Sequence, residues 1–438
     1  MSAVAQPAQA GAPPWGLDEE QVARWARELV VYHRHFAGLV YRKEQRHWAL
    51  KYLQGLLLPY PNKCVERLAL SVEGGHVRNM QLFIGAGRWD DRAILHKHAE
   101  LVGASLGERG GALIVDGSEF PKKGKHSAGV MRQYCGATGK IDNCQAGVFL
   151  AYASTAGYTL LDGRLYVPQE WFAQEAGPRW RRCGIPDGTP FRTKPQLAWE
   201  MIGQVAAQGV VPFSWILCDE AFGDNPEFLG QLERAQITYL ADVAVSTRVW
   251  LERPLTRVAP WKGNGRPPTR ERLTPGAAPP MRVDELAAQL PRSAWRIYVV
   301  KDGEKGPIRA RFAFVQAVAV RGQLPGPEVW VVLRRTLGNR PKLKVLLSNA
   351  PADTARAELV RMSGMRWPIE SCFEEAKGNL GMASYQTRSW RGWHHHMTLV
   401  MLAHHFLVRL KLQQKGGRQR SRLPRHVSCS LQRCPGGG

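Results

Sequence analysis

From residue 17 to about residue 106, apolar residues recur every three or four positions; from Ala112 onward they alternate or run on unbroken. The stretch LDEEQVARWARELVVYHRHF sets Val22, Trp25, Leu29 and Tyr32 on one helical face. Asp18, Glu19 and Glu20 stand where the positive end of the helix dipole favours acids. Further helices are expected over 44–57 and 64–72, with a fourth starting near Trp89 and Asp90. Three strand patterns follow, ALIVDG, QAGVFLAYAS and YTLLDGRLYVP, punctuated by glycine. A helix over 194–207, a buried strand in VPFSWILCDE, a helix over 226–235 and a strand in ITYLADVAV continue the series.

The resulting order, β-β-β-α-β-α-β, is the one used by ribonuclease-H-like folds. The fold class expected is therefore α/β: a ribonuclease-H-like core with a β-rich insertion, preceded by a helical domain. Its parts are a disordered Ala/Pro/Gly-rich N-terminus (1–16), a helical domain that binds DNA (17–108) and the first part of the core (109–245). A β-rich insertion with a Pro/Gly/Arg-rich loop (246–325), the second part of the core with its late helix (326–412) and a basic flexible tail (413–438) complete it. No internal repeat is visible.

Charge sharpens the picture. Lys and Arg number 60 against 37 Asp and Glu, a formal net charge of +23 in 438 residues. Such an excess repels itself in a compact chain, and a polyanion relieves the repulsion, so nucleic acid is the expected partner. No apolar run approaches the roughly 18–20 residues that cross a bilayer. The N-terminus lacks the basic start and apolar stretch of a signal peptide. The eight cysteines are scattered without a Cys-x-x-Cys pair, which points away from zinc and disulfides and towards a reducing cytoplasm.

Against this basic background three acids stand out. Asp116 ends ALIVDG, Asp219 ends WILCD, and Glu370 lies in RWPIESCFEEAKGNLG. Two-metal phosphodiester chemistry needs carboxylates that hold both ions roughly 4 Å apart, and acids at the ends of neighbouring strands converge naturally. Glu119 and Asp142 compete with Asp116, Glu220 competes with Asp219, and Glu374 and Glu375 compete with Glu370. The two-residue period of the strand favours Asp219 over Glu220. Pro368 suits a first helical position and puts Glu370 in the first turn. Arg366 and Lys377 bracket Glu370 at four and seven residues.

Three stretches carry a resemblance: LIVDGSEFPKKGKHSAGVMRQYCGATGKIDNCQAGVFLAYAS, LCDEAFGDNPEFLGQLERAQITYLADV and MRWPIESCFEEAKGNLGMASYQTRSWRGWHHHMTLVMLAHHFL. Together, in this order, the chain resembles bacterial insertion-sequence transposases of the DDE superfamily, most closely those of insertion-sequence family 701. The resemblance implies Asp116, Asp219 and Glu370 as a metal-binding catalytic triad for Mg2+, with Mn2+ as a substitute. It also implies Arg366 and Lys377 as phosphate contacts beside the cut. The family pattern of Tyr, Arg, Glu and Lys around the third acid is kept except that Ser363 stands at the Tyr position.

The implied activity is cleavage at the element's ends followed by attack of the freed 3′ hydroxyl on target DNA. Double-stranded DNA is the expected partner, with a homodimer assembled on it, and neither membrane nor nucleotide cofactor is expected. Lys122, Lys123 and Lys125, beside His126 and Arg132, form a basic loop expected to hold the cut strand. Arg388 and Arg391 are further candidates for DNA contact, among Trp367, Tyr385, Trp390 and Trp393. The run His394–His396 does not suit zinc, because consecutive helical residues point about 100° apart. The alternatives are a catalytically silent DNA-binding regulator and a structure-selective nuclease on the same fold.

Overall fold

The computed structural model describes residues 19–261, 263–303 and 306–415. The expected N-terminus at 1–16 and the tail beyond 415 lie outside the described residues. Internal contacts divide the chain into two compact units, Met1–Lys97 with Glu374–Gly438, and His98–Phe373.

The first unit begins with α1 (Glu19–Arg34), which buries Val22, Trp25, Leu29 and Tyr32 as their spacing requires. The helices α2 (Lys43–Leu57) and α3 (Val65–Ser71) follow the periodicity to within a residue. Periodicity does not announce α4 (Val77–Gly85), whose nine residues are short and flanked by glycines. It is capped by His76, whose ring accepts the Asn79 N–H at 3.3 Å. The helix expected near Asp90 is α5 (Asp91–Leu106), where Asp90 Oδ1 accepts the N–H groups of Arg92 and Ala93.

The second unit is built on one large sheet. Its strands open with β1 (Ala112–Pro121), β2 (Met131–Cys135), β3 (Lys140–Ala153) and β4 (Tyr158–Tyr166). There follow α6 (Gly177–Cys183), α7 (Lys194–Gln208), β5 (Trp215–Cys218), α8 (Glu220–Gly223), α9 (Pro226–Arg234) and β6 (Thr238–Val243). Next come β7 (Arg248–Trp250), β8 (Thr256–Val258), β9 (Glu271–Leu273), β10 (Met281–Arg282) and α10 (Val283–Gln289). Then β11 (Arg296–Gly303), β12 (Gly306–Arg321), β13 (Leu324–Thr336) and β14 (Leu343–Ser348) precede α11 (Arg356–Met365) and α12 (Pro368–Asn379).

The sheet runs β10-β7-β12-β13-β14-β6-β5-β1-β3-β2, with β11 beside β12 and β4 beside β3; β8 and β9 form a separate ribbon. Within it, β4-β3-β1-β5-β6 is the ribonuclease-H-like order. The pairs β1–β5 and β5–β6 are parallel, and their segments ALIV and WILC are wholly buried, as strands covered on both faces must be. Each buried Leu, Ile or Val among them contributes about 1.5–3 kcal/mol of burial. Apart from β8 and β9, the strands of the expected insertion belong to this same sheet, since β12 pairs with β13 and β13 with β14, which pairs with β6.

Two local features differ from expectation. The first strand does not stop at Asp116 but continues to Pro121, because it stays paired with β3 from Ala112↔Ala153 to Pro121↔Cys144. The short β2, MRQYC, was not anticipated; it hydrogen-bonds along β3 from Met131↔Cys144 to Cys135↔Lys140. Local chemistry secures the crossovers. A capping box of Thr193 and Gln196 starts α7, Gly209 in the left-handed region ends it, and Asn225 accepts the Phe228 N–H to start α9.

The first unit is completed by α13 (Trp390–Lys415). Residues 392–408 of this helix are all buried, as befits a central helix apolar on every side.

Candidate active site

Three apolar runs of the second unit end in aspartate: LIV-Asp116, ILC-Asp219 and YLA-Asp242. Val115 pairs with Cys218, and Cys218 with Ala241, so the next residue on each strand is an aspartate. Parallel register thus sets the three acids side by side, Asp116 within the long β1, Asp219 just past β5 and Asp242 near the end of β6.

At Asp219 the backbone leaves the sheet and becomes the N-cap of α8. A Cβ on Gly223 would collide with the Asp242 carbonyl, so glycine lets α8 lie directly against β6. Asp224 Oδ1 then accepts the Ala244 N–H at 3.0 Å and ties the end of α8 to the exit of β6.

These acids line a cleft of about 260 Å³ together with Glu220, Lys344, Arg366 and Glu370. Arg366 is the C-cap of α11, and Pro368 opens α12 two residues later, so Glu370 falls in the first turn of α12. The Arg366 guanidinium is the hub. Its Nε lies 3.1 Å from Asp242 Oδ2, its Nη2 donates to Glu370 Oε1 at 2.5 Å, and its Nη1 lies 3.9 Å from Asp116 Oδ2. Lys344 Nζ donates to the same Asp242 Oδ2, also at 3.1 Å.

The electrostatics follow from crowding. Burial, then the neighbouring Asp219 charge, pushes the Asp116 carboxyl up to about 7, although Arg366 and the Gly117 N–H pull it back. Burial likewise raises Asp219, opposed by Arg366. Burial works against the Arg366 charge, but Asp242 and Glu370 outweigh it and the pKa moves up. The guanidinium stays charged throughout.

The competing acids sort themselves by partner. Glu119 lies 3.6 Å from Lys194, Asp142 Oδ1 accepts the Asn143 N–H, and neither lines the cleft. Glu220 lines the cleft but is exposed, whereas Asp219 is half-buried. In the first unit, Glu375 accepts a hydrogen bond from His404 at 3.1 Å, and Lys377 stands in the last turn of α12. Ser363, at the departed Tyr position, is buried and donates to the Val360 carbonyl.

The basic loop stands apart from the acids. Because β1 outruns Asp116, Lys122 follows it by six residues, roughly 20 Å of extended chain. None of Lys122, Lys123 and Lys125 lines the cleft. Burial lowers the Lys122 pKa to about 8, Lys123 is exposed, and Lys125 lines a separate groove with His126, Arg179 and Arg182. Trp367 is 38% exposed, with the Lys301 ammonium 3.8 Å from its ring centroid. In the first unit Arg388 and Arg391 are exposed, while Tyr385 and Trp393 are core residues.

Two cleft residues, Asp242 and Lys344, escape the sequence reading. A signal for Asp242 was present, since YLAD repeats the form of LIVD and ILCD. Lys344 carried none, because it is one lysine among many on a strand.

Whether the donor set suits a divalent cation turns on one atom. Asp219 Oδ1 is buried and without a hydrogen-bond partner. A buried carboxylate oxygen left so is costly, and a hard cation satisfies it. Asp116, Asp219 and Glu370 offer only carboxylate oxygens, the donors such ions prefer. Among the described residues no three His, Cys, Asp or Glu side chains already converge on one point, because Arg366 reaches in among the acids. The donors therefore suit the ion chemically, with Arg366 supplying the countercharge in this conformation.

Comparison with known proteins agrees with this geometry. Residues 35–307 match the family model described as DDE superfamily endonuclease, a span that contains Asp116, Asp219 and Asp242. The chain is also 23% identical over 344 residues to a protein of Microchaete diplosiphon named "Probable transposase for insertion sequence element IS701", covering 77% of this chain and 76% of that one. Among the described residues no helix is long and apolar enough to cross a membrane. Fold, strand-end acids and a family match over more than half the chain lead to one assignment: this chain belongs to the DDE superfamily of endonucleases.

Proposed function

We propose that the chain is a DNA transposase that cuts at the ends of an insertion sequence and joins them to target DNA. The observation carrying this reading is that Asp116, Asp219 and Glu370, from two adjacent parallel strands and a late helix, face one cleft in a chain of this superfamily. The insertion-sequence relative supports transposition over simple cleavage.

Asp116, Asp219 and Glu370 would hold the divalent metal, Mg2+ by preference and Mn2+ as a substitute. Divalent ions held there would supply Lewis-acid polarisation of the phosphate and a more acidic water. The chain's own side chains do the rest. Arg366 brings a permanent positive charge to the phosphate at the cut, and Lys377 supplies a second cation on the same helix. Water breaks the strand without a covalent protein–DNA link, and the freed 3′ hydroxyl attacks target DNA in line. Two ends must meet, so the working form is a homodimer on DNA.

The helical first unit is the duplex-binding part in this reading. A groove of about 670 Å³ supports it, lined by Tyr41, Arg42, Gln45, Trp48, Asn79 and Arg88. Tyr41 is 91% exposed there, an aromatic face beside cations and amides of the kind that meet bases and phosphates. Lys122, Lys123, Lys125, Arg388 and Arg391 act as backbone contacts away from the cut.

The test is cleavage with Mg2+ of a duplex made from the DNA flanking the gene. Asp116→Ala, Asp219→Ala and Glu370→Ala should each lose cleavage while keeping most of the DNA affinity. Full activity in any one of them removes that residue from the site. Cleavage without joining in the wild type would reduce the function to that of a nuclease.

A further inference from the structure

The cleft contains a fourth acid whose role differs from that of the other three. Asp242 Oδ2 receives two cations at once, Arg366 Nε and Lys344 Nζ, each at 3.1 Å. Asp219 Oδ1, by contrast, is buried with no partner. One carboxylate is committed to protein cations while its neighbour has an oxygen still to satisfy.

The manner in which Arg366 is held matters as much. Asp242 takes Nε, the inner nitrogen of the fork, while the outer nitrogens Nη1 and Nη2 reach Asp116 and Glu370. A cation arriving at Asp116 and Glu370 would displace the outer nitrogens and leave the Nε anchor in place. The planar fork would then turn on Asp242 and present two N–H donors to whatever anion accompanies the metal.

Lys344 shares that anchor. It lies on β14, where Leu346 pairs with Asp242, so the two-residue period puts Lys344 on the same face of the sheet as Asp242. Its side chain is 50% exposed and lines the cleft, whereas that of Arg366 is 11% exposed. The pair thus joins a buried fork to a half-solvated ammonium across a single carboxylate oxygen.

We infer that Asp242 is a positioning residue that seats Arg366 and Lys344 as a two-cation clamp, and that Lys344 is a contact for the DNA phosphate at the cut. This rests on the functional reading above and adds to it a division of labour: Asp116, Asp219 and Glu370 for the metal, Asp242 for the cations. The ligand is a phosphodiester, because a planar fork and a point charge beside one metal cluster match the oxygens of a tetrahedral anion.

The experiment uses the full chain and two readouts besides cleavage: Mn2+ binding by paramagnetic titration, and affinity for the gene-flanking duplex between low and moderate salt. Lys344→Ala should keep Mn2+ binding and flatten the log–log salt dependence by about 0.9, the value of one phosphate contact. Its cleavage should fall about 10²-fold, the usual loss for one charge-stabilising donor. Lys344→Arg should restore the salt slope. The isosteric Asp242→Asn should keep Mn2+ binding and slow cleavage, and in Asp242→Asn/Lys344→Ala the losses should not add, since both act through one clamp.

Loss of Mn2+ binding in Asp242→Asn, as expected for Asp116→Asn, would overturn the division of labour. An unchanged salt slope and rate in Lys344→Ala would reduce its bond to Asp242 to a plain ion pair. Either result leaves the triad reading standing. Full cleavage by the triad variants would instead bring down the functional reading itself.

Discussion

Both units of this chain bury polar side chains, but one spreads its histidines over separate partners and the other gathers like charges in one row. In the helical unit, His395 on α13 has Nδ1 3.0 Å from the Ile84 carbonyl and Nε2 3.1 Å from the Trp89 carbonyl, and stacks on Trp89 at 3.6 Å. His396 meets the Tyr52 hydroxyl at 2.8 Å, His405 meets that of Tyr32 at 3.1 Å, and His404 bonds Glu375. Three adjacent histidines, 394–396, go to three different sets of partners. His394 bonds back to the Trp390 carbonyl of its own helix, while His395, His396, His404 and His405 each fasten α13 to another segment.

The sheet unit instead crowds like charges. Asp116, Asp219 and Asp242 sit in one row with Arg366 as shared countercharge, and an Asp219 oxygen is left without a partner. Partnered buried polar groups add specificity and stability. Crowded, under-partnered ones cost stability and mark a place where something else binds.

This contrast is open to attack first at its structural side. His395→Ala should destabilise the protein by about 3 kcal/mol, through the cavity and the hydrogen bond it removes. Urea unfolding measures this, and cleavage per folded molecule should not change. A stable variant with impaired cleavage would erase the distinction between the two sets of buried groups.

The acid cluster makes the opposite prediction. With Asp116 raised to about 7, the native state holds a proton between pH 3.8 and 7 that the unfolded chain releases. Stability from this group is complete below about pH 4 and drains away as pH rises through 7. In metal-free buffer at pH 8, Asp116→Asn should therefore be more stable than the wild type by roughly 2 kcal/mol, a margin that narrows towards pH 4. Thermal unfolding across pH decides it, and a margin that widens on acidification would reverse the sign of the crowding. Added Mn2+ should recover stability in the wild type and not in Asp116→Asn.

The smallest effect sharpens the boundary between the units. Lys377→Ala should flatten the salt dependence of DNA binding by about 0.9 in log–log slope and slow cutting, with Mn2+ binding retained. Unchanged slope and kinetics would make Lys377 a surface residue of the last turn of α12.

Much of this was legible in the chain. The helical spacing of Val22, Trp25, Leu29 and Tyr32 and the unbroken apolar runs of β1, β5 and β6 report burial directly, because one face or both must leave water. Short elements were harder. In α4, nine residues make only about two and a half turns of pattern, and β2 exists only because β3 offers it a ladder. The spacing of Arg366, Pro368 and Glu370 was readable because a proline marks the first turn of a helix whatever surrounds it. How far the basic loop lies from the acids was not legible, because that depends on how far β1 stays paired with β3, a long-range fact.

The sequence by itself determined the alternation of strands and helices, the three acids at the ends of apolar runs and the helix of Glu370, since periodicity, capping and charge are local properties. Only the tertiary structure decided that β6 lies beside β5 and brings Asp242 into the row, that β14 carries Lys344 to the same carboxylate oxygen, and that Arg366 joins them all. Those choices depend on sheet register and on the close approach that Gly223 permits, and no short stretch of sequence records which strands will be neighbours.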